Sequence, residues 1–182
     1  MTGDPAVGGP DKPADLHGAT LGLGSNLGDR LSNLQGAVDA LSETPGVVVE
    51  GVSSVYETAP LGGKDQPYYL NAVVTVRTGL TPHLLLERAF AVEDAFGRTR
   101  AERWASRTLD VDVIAYDELI SDDPDLTVPH PGAHERATVL APWADISPGA
   151  RVPGRGTVAD LLAVADTSGV RRRDDLTLIL PR

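Results

Sequence analysis

The strongest constraint on this chain is the order in which its hydrophobic periodicities alternate between Ala19 and Tyr116. Ala19 to Gly24 is a short apolar run ending in glycine and predicts a first strand. A helical pattern follows, with Leu31, Leu34, Val38 and Leu41 at steps of three and four residues. Pro45-Gly46 stops it. Val47 to Tyr56 is β-branched enough for a second strand and Tyr69 to Arg77 for a third. The stretch between them, Glu57 to Tyr68, carries Pro60, Gly62, Gly63 and Pro67 and reads as a long, shaped loop. Thr81-Pro82 forms an N-cap with proline at the first helical position. Leu85, Ala89, Val92 and Phe96 continue one face until Gly97 ends that helix, and Leu109 to Tyr116 makes a fourth strand.

The order β-α-β-β-α-β predicts an α+β domain with a ferredoxin-like core, in which helices cover one face of an antiparallel sheet of strand order 4-1-3-2. A C-terminal extension adds a helix near Val158 to Ala165 and a strand near Leu176 to Leu180. The expected organisation is a disordered leader over residues 1–18, rich in Gly, Pro and Asp, and one domain over residues 19–182. This topology brings the ends of strands 1 and 2 and the beginnings of strands 3 and 4 to one edge of the sheet. Gly24-Ser25-Asn26, the loop from Thr58 to Gln66, Asn71, Asp110 and Asp112 meet there, so a site is predicted at that edge.

Composition narrows the function. Lys plus Arg of 16 against Asp plus Glu of 26 gives a formal charge of -10, the wrong sign for gripping a phosphate backbone, so no nucleic-acid partner is expected. Zero cysteines exclude disulfides, a thiolate nucleophile and Cys-ligated metals. No apolar run approaches the ~20 residues of a transmembrane helix. The default expectation is a cytoplasmic monomer acting on small molecules.

Asp110 and Asp112 are the sharpest chemical feature. Residues i and i+2 of a strand share a face, so Leu109, Val111 and Val113 turn to the core while two carboxylates stand side by side. Such a pair repels itself unless a cation lies between, and hard oxygen donors without His or Cys suit Mg²⁺ completed by water and substrate phosphates. A merely solvated strand face is the alternative. The preceding segment from Gly97 to Arg107 holds four arginines, Arg98, Arg100, Arg103 and Arg107, in an otherwise acidic chain. Arginine matches phosphate oxygens in bidentate geometry, and its glycine and lack of apolar periodicity predict a lid over a polyphosphate.

Three further patterns carry less. Gly22-x-Gly24-x-x-x-Gly28 lies one residue off a dinucleotide-binding turn, with Glu50 as the candidate ribose acid, and no P-loop occurs. His130 and His134 are separated by Pro131-Gly132, which prevents the helix that would align them on zinc; His130 reads as a donor at the site's edge or as a packed loop residue. Tyr68 and Tyr69 lie beside Asn71, so one of them offers a face to a planar ligand or both belong to the core.

Taken together, Gly24-Ser25-Asn26-Leu27-Gly28, Ser53-Ser54-x-Tyr56-x-Thr58-x-Pro60, Asp65-Gln66-Pro67-x-Tyr69-Leu70-Asn71, Gly97-Arg98 and Glu102-Arg103-Trp104 resemble the signatures of the 6-hydroxymethyl-7,8-dihydropterin pyrophosphokinase family. So do Arg107-Thr108-Leu109-Asp110-x-Asp112 and Thr127-x-Pro129-His130, and the resemblance runs from about Ala19 to Ala150. It implies transfer of pyrophosphate from ATP to the hydroxymethyl group of the reduced pterin, a step of folate synthesis that releases AMP. By matching position, Asp110 and Asp112 resemble ligands of two Mg²⁺ ions, and Arg98 and Arg107 resemble the phosphate-contacting arginines of the family's mobile loop, with Trp104 closing over the site. The resemblance places Glu93, His130 and Arg136 on the nucleotide side. It places Thr58, Pro60, Leu61, Tyr69 and Asn71 around the pterin and Asn26 at the junction. Glu93 or the aspartate pair would accept the hydroxyl proton, or it would pass to water. Three positions depart from the family pattern. The arginine loop is one residue short, Phe90 stands where a glutamine is common, and Thr138 stands where an aromatic ring usually stacks on the pterin. The rival readings are a non-catalytic metabolite-binding ferredoxin-like module and a dinucleotide-dependent enzyme.

Overall fold

A computed structural model of the chain describes residues 15–60, 65–97 and 108–182. The elements, in order, are β1 (His17–Ser25), α1 (Arg30–Ser42), β2 (Val47–Val52), β3 (Tyr56–Thr58), β4 (Tyr69–Thr78), α2 (Pro82–Ala95), β5 (Asp110–Tyr116), β6 (Ser121–Asp123), β7 (Leu126–Val128), α3 (Ala137–Ile146), β8 (Arg151–Val152), β9 (Gly156–Thr157), α4 (Val158–Val164) and β10 (Val170–Arg172). The class is α+β. One antiparallel sheet runs β10-β3-β4-β1-β5, with β2 pairing the other half of β4. Two small hairpins, β6-β7 and β8-β9, stand apart from it.

The second helix starts at the expected Thr81 cap, and the first starts at Asp29, a cap the sequence analysis did not name. The Asp29 carboxylate accepts from Ser32 N at 3.0 Å and the Thr81 hydroxyl from Leu84 N at 3.3 Å, each satisfying an N–H that has no partner inside its helix. Leu34, Val38 and Leu41 of α1 and Leu85, Ala89 and Val92 of α2 are buried. They pack on alternate residues of the central strands: Ala19, Leu21 and Leu23 of β1, Leu70, Ala72, Val74 and Val76 of β4, and Val111 and Val113 of β5.

Several boundaries differ from expectation. β1 begins at His17, so residues 17 and 18 belong to the sheet; residues 1–14 lie outside the described part. The expected second strand is two strands, because the Ser53 hydroxyl replaces a carbonyl in the ladder: its Oγ accepts from Val73 N at 2.8 Å while Ser53 N donates to Val73 O at 2.9 Å. Residues 176–180 form no strand. Leu176 and Leu178 pack on the main core, and Gln35 of α1 holds Ile179 by both backbone groups, each at 2.8 Å. The C-terminal pairing falls earlier, at β10, which adds to the edge of β3.

The helices also cover both faces of the sheet. α3 has no counterpart in the sequence reading, and it lies on the face opposite α1 and α2. There Leu140 and Trp143 pack with Val73 and Ile114, and α4 supplies Val158. That second layer is what turns one face of the sheet into a cavity wall.

Candidate active site

β5 alternates as its sequence dictates. Val111 and Val113 enter the core, while Asp110, half-buried, and Asp112, exposed, project on the other side. Beside them in the sheet stand residues with no side chain: Gly24 pairs with Asp110 and Gly22 with Asp112. On the far side of β1, Gly24 pairs with Asn71 and Gly22 with Val73. Asp110 and Asn71 are therefore two strand spacings apart, roughly 10 Å, across a floor of bare backbone. A Cβ built at Gly24 would come within 3.1 Å of Asn71 Oδ1 and 3.6 Å of a Tyr69 ring carbon. The two glycines lie inside a strand and not at a strand-to-helix turn, which removes the basis for a dinucleotide-binding turn.

This floor opens into a cavity of ≈ 330 Å³. Its wall over β3 and β4 is Thr58, Tyr69 and Asn71, and Asn71 Nδ2 donates to Thr58 Oγ1 at 2.6 Å. Gln66 and Ala59 complete that side, and Thr138 and Val139 of α3 face it. Over β5 the lining is Asp110, Asp112, His130 and Arg136. Tyr69 is the one Phe, Tyr or Trp lining the cavity among the described residues.

His130 is fixed from two sides: its N–H donates to Ile114 O at 2.8 Å, and its ring Nδ1 accepts from Gly132 N at 3.3 Å. The bond at Nδ1 leaves the proton of the neutral ring on Nε2. Burial lowers the imidazole pKa, Asp112 opposes the shift and the Arg136 guanidinium adds to it, so the ring is held neutral at pH 7. Arg136 lies against the preceding turn because residue 132 is glycine; a Cβ there would clash with the Arg136 guanidinium. His134 pairs with Glu135 at 3.2 Å and makes no site with His130.

Three expected site residues among those described lie off this wall. Asn26 is buried beneath it, donating to Pro67 O at 3.2 Å and to Gln66 Oε1 at 3.5 Å, so it holds the loop that carries Gln66. Glu93 is fully buried on α2, and its Oε1 accepts from Val111 N at 2.9 Å along the outer edge of β5. It is not part of the cavity lining among the described residues. Pro60 is half-buried and also off the lining. Leu61, Arg98, Trp104 and Arg107 lie outside the described residues, as does the arginine loop expected to act as a lid. Gln66, expected at the site's edge as the end of the Thr58 to Gln66 loop but without a role, lines the cavity, and so does Val139, which no sequence signal marks for that place.

Among the described residues no group of three or more His, Asp or Glu side chains gathers to form a closed metal cage. Asp110 and Asp112 fit a different kind of site. Two carboxylates on one strand face, open to a cavity, suit a hard cation that shares its remaining positions with water and phosphate oxygens.

Residues 20–148 match the family described as 7,8-dihydro-6-hydroxymethylpterin-pyrophosphokinase (HPPK). The chain is 47% identical over 154 residues to a 2-amino-4-hydroxy-6-hydroxymethyldihydropteridine pyrophosphokinase of Methylorubrum extorquens, covering 85% of this chain and 97% of that one. It is 42% identical over 179 residues to the protein of the same name from Mycobacterium leprae, covering 89% and 91%. Among solved structures it is similar to a triple mutant of Plasmodium falciparum HPPK-DHPS with pteroate, with a TM-score of 0.68 at 14% identity. That likeness covers 88% of this chain but spans about half, 47%, of the longer Plasmodium chain, and it speaks to the fold alone.

Proposed function

The chain belongs to the 7,8-dihydro-6-hydroxymethylpterin-pyrophosphokinase family, and from that membership we propose how its cavity divides the work. The reaction is transfer of pyrophosphate from ATP to the hydroxymethyl group of 6-hydroxymethyl-7,8-dihydropterin in folate biosynthesis, with AMP as the other product. The pterin hydroxyl oxygen attacks the β-phosphorus, the bond from that phosphorus to the α–β bridging oxygen breaks, and the hydroxyl proton is released. Such a transfer asks for positioning and charge neutralisation and for little covalent work by the protein.

The pterin occupies the end over β3 and β4. Its ring lies on Tyr69 and its polar edge meets Thr58 and Asn71, with Gln66 closing the side. Because Asn71 Nδ2 is committed to Thr58, its Oδ1 is left over Gly24 as an acceptor for ring N–H groups. The triphosphate lies over β5. Neutral His130 donates from Nε2, Arg136 supplies positive charge, and Asp110 and Asp112 hold magnesium, which we take to be two ions. When bound, magnesium neutralises the phosphates and the developing charge. Arg98 and Arg107 join the polyphosphate and Trp104 covers it, by their match to the family's motifs. Glu93 acts instead by satisfying the backbone of β5, and so keeps the strand that carries the aspartates in place. We read the core as ferredoxin-like with a C-terminal extension, working as a cytoplasmic monomer; no described helix is long and apolar enough to cross a membrane.

The observation that carries this reading is the row Asp110-Gly24-Asn71, which sets a carboxylate and a ring-edge acceptor at opposite ends of one open floor, with Asp112 in the next row beside Gly22. It is tested by following AMP release from ATP and the pterin with and without Mg²⁺. AMP formed only when pterin and Mg²⁺ are both present supports it. Equal release without pterin, or binding of pterin without turnover, defeats it and favours a metabolite-binding module.

A further inference from the structure

We infer that Glu57 is a positioning residue for pterin binding, acting through Arg30 on the backbone just ahead of Tyr69. The inference rests on the assignment of Thr58, Tyr69 and Asn71 to the pterin. Glu57 lies between Tyr56 and Thr58 on β3, and strand alternation turns it away from the cavity. Arg30 Nη1 donates to its Oε2 at 3.3 Å, Arg173 Nη1 to the same oxygen at 3.0 Å, and Arg171 Nη2 to Oε1 at 3.0 Å. The Glu57 side chain is only 16% exposed, so this is a charge held by its partners and not a solvated surface ion.

The consequence runs through Arg30. The same Nη1 donates to Tyr68 O at 2.7 Å, and Asn26 holds the preceding carbonyl, Pro67 O. Behind Pro67 and Tyr68 lies a hollow bordered by Leu27, Arg30 and Glu57. The entry into β4, which sets the Tyr69 ring, is therefore held from outside by two hydrogen bonds to successive backbone carbonyls. Glu57 orients the arginine that makes one of them. Glu57 also ties in the C-terminus. Arg171 is its register partner in β10, and Arg173 N donates to Val55 O at 2.8 Å. The tail is thereby joined to the pterin wall by the backbone pairing of β10 with β3 and by the Glu57 carboxylate, although it contributes nothing to the cavity lining.

The test compares Glu57→Gln, Arg30→Met and Arg30→Lys by calorimetric titration with pterin in the presence of a non-hydrolysable ATP analogue and Mg²⁺, together with steady-state kinetics. Asn71→Ala serves as a control. Glu57→Gln and Arg30→Met are expected to weaken pterin binding about tenfold, the scale of one lost charge-assisted hydrogen bond, with kcat and nucleotide affinity held within about twofold. Arg30→Lys, which keeps the charge and one donor, should recover part of the loss. If Glu57→Gln does not fold, the two Arg30 variants decide. Unchanged pterin affinity in Arg30→Met, or pterin and nucleotide affinities falling together with the melting temperature, overturns the inference. If Asn71→Ala weakens pterin binding and the Glu57 and Arg30 variants do not, the wall stands and only the brace is lost. If Asn71→Ala is silent, the wall is misassigned and the brace falls with it.

Discussion

Gly24 and Asp110 face each other in the antiparallel register of β1 and β5, and the carboxylate has an open floor beside it because its neighbour has no side chain. On the other flank of Gly24 stands Asn71. One missing Cβ thus clears the space between the end of the cavity that carries Asp110 and the end that carries Asn71. Its φ does not fall in the left-handed region, so what this position requires of glycine is room and not conformational freedom.

That distinction makes Gly24→Val informative. A β-branched residue suits a strand backbone, so the variant should fold. Its Cβ would meet Asn71 Oδ1 at 3.1 Å and its methyls would occupy the floor. Pterin affinity should fall about tenfold or more, a loss of 1.4 kcal/mol or greater on the binding scale. Circular dichroism together with calorimetric titration checks both halves, and pterin affinity equal to that of the unaltered protein would mean the ring does not cross this floor.

Asp110→Asn and Asp112→Asn keep side-chain size and remove charge. Each should leave the melting temperature nearly unchanged and lower turnover about a hundred- to thousandfold, the range for loss of one preorganised electrostatic contact in a transition state. Added Mg²⁺ should restore part of the rate if affinity for the metal is what was lost. Near-normal turnover at ordinary Mg²⁺ in either folded variant would remove the metal assignment.

The second helical layer is joined to β3 by Tyr56, whose hydroxyl donates to Asp145 of α3 at 3.0 Å. Burial first, then the bond to Asp145, raises the Tyr56 pKa above its usual 10.0, although Arg172 opposes the shift. A proton favoured in the folded state stabilises it fully below the unfolded pKa and stops doing so as pH rises through the folded one. At pH 8 the wild type should therefore exceed Tyr56→Phe by about 1.5–3 kcal/mol in denaturant unfolding, the range for a hydrogen bond to a charged group. Above pH 10 that margin should shrink. A margin that is constant from pH 8 to 11 would show that the hydroxyl proton plays no part in holding α3 to the sheet.

The parts of this molecule that could be read in advance are those set by local sequence. Val111 and Val113 alternating with Asp110 and Asp112 specify which face of β5 is wet, and Asp29 and Thr81 mark their helix starts without help from the rest of the chain. The parts that could not be read depend on distant partners. Pro142 inside α3 and Pro131-Gly132 before it argue against a helix, yet Leu140 and Trp143 are buried against the sheet and packing overrides the propensity. Val170–Arg172 forms a strand only against a distant partner, with Glu57, more than a hundred residues earlier, opposite Arg171. Glu93 follows Val92 on the buried stripe of α2, and the N–H its carboxylate accepts from, Val111 N, lies on a strand eighteen residues later, beyond the reach of local pattern.

Thr138 tests whether the ring site is finished by the residues that line it. It sits in the first turn of α3, facing the same cavity as Tyr69, Thr58 and Asn71. With Tyr69 as the one Phe, Tyr or Trp lining the cavity among the described residues, a pterin stacked on it, as proposed, would have a ring on one face and a small hydroxyl side chain near the other. An aromatic pair contributes ~0.5–1.5 kcal/mol beyond area burial, which corresponds to up to about tenfold in affinity. Thr138→Phe should therefore tighten pterin binding while leaving the affinity for a non-hydrolysable ATP analogue unchanged, since His130, Arg136, Asp110 and Asp112 lie along the β5 side of the cavity. The competing outcome has its own signature. If Trp104 already covers that face in the complex, a second ring would collide with it, and pterin affinity would fall instead. Calorimetric titration of both proteins with pterin and the analogue separates the two, and an unchanged or weaker pterin affinity in Thr138→Phe would show that the ring is already enclosed on both sides.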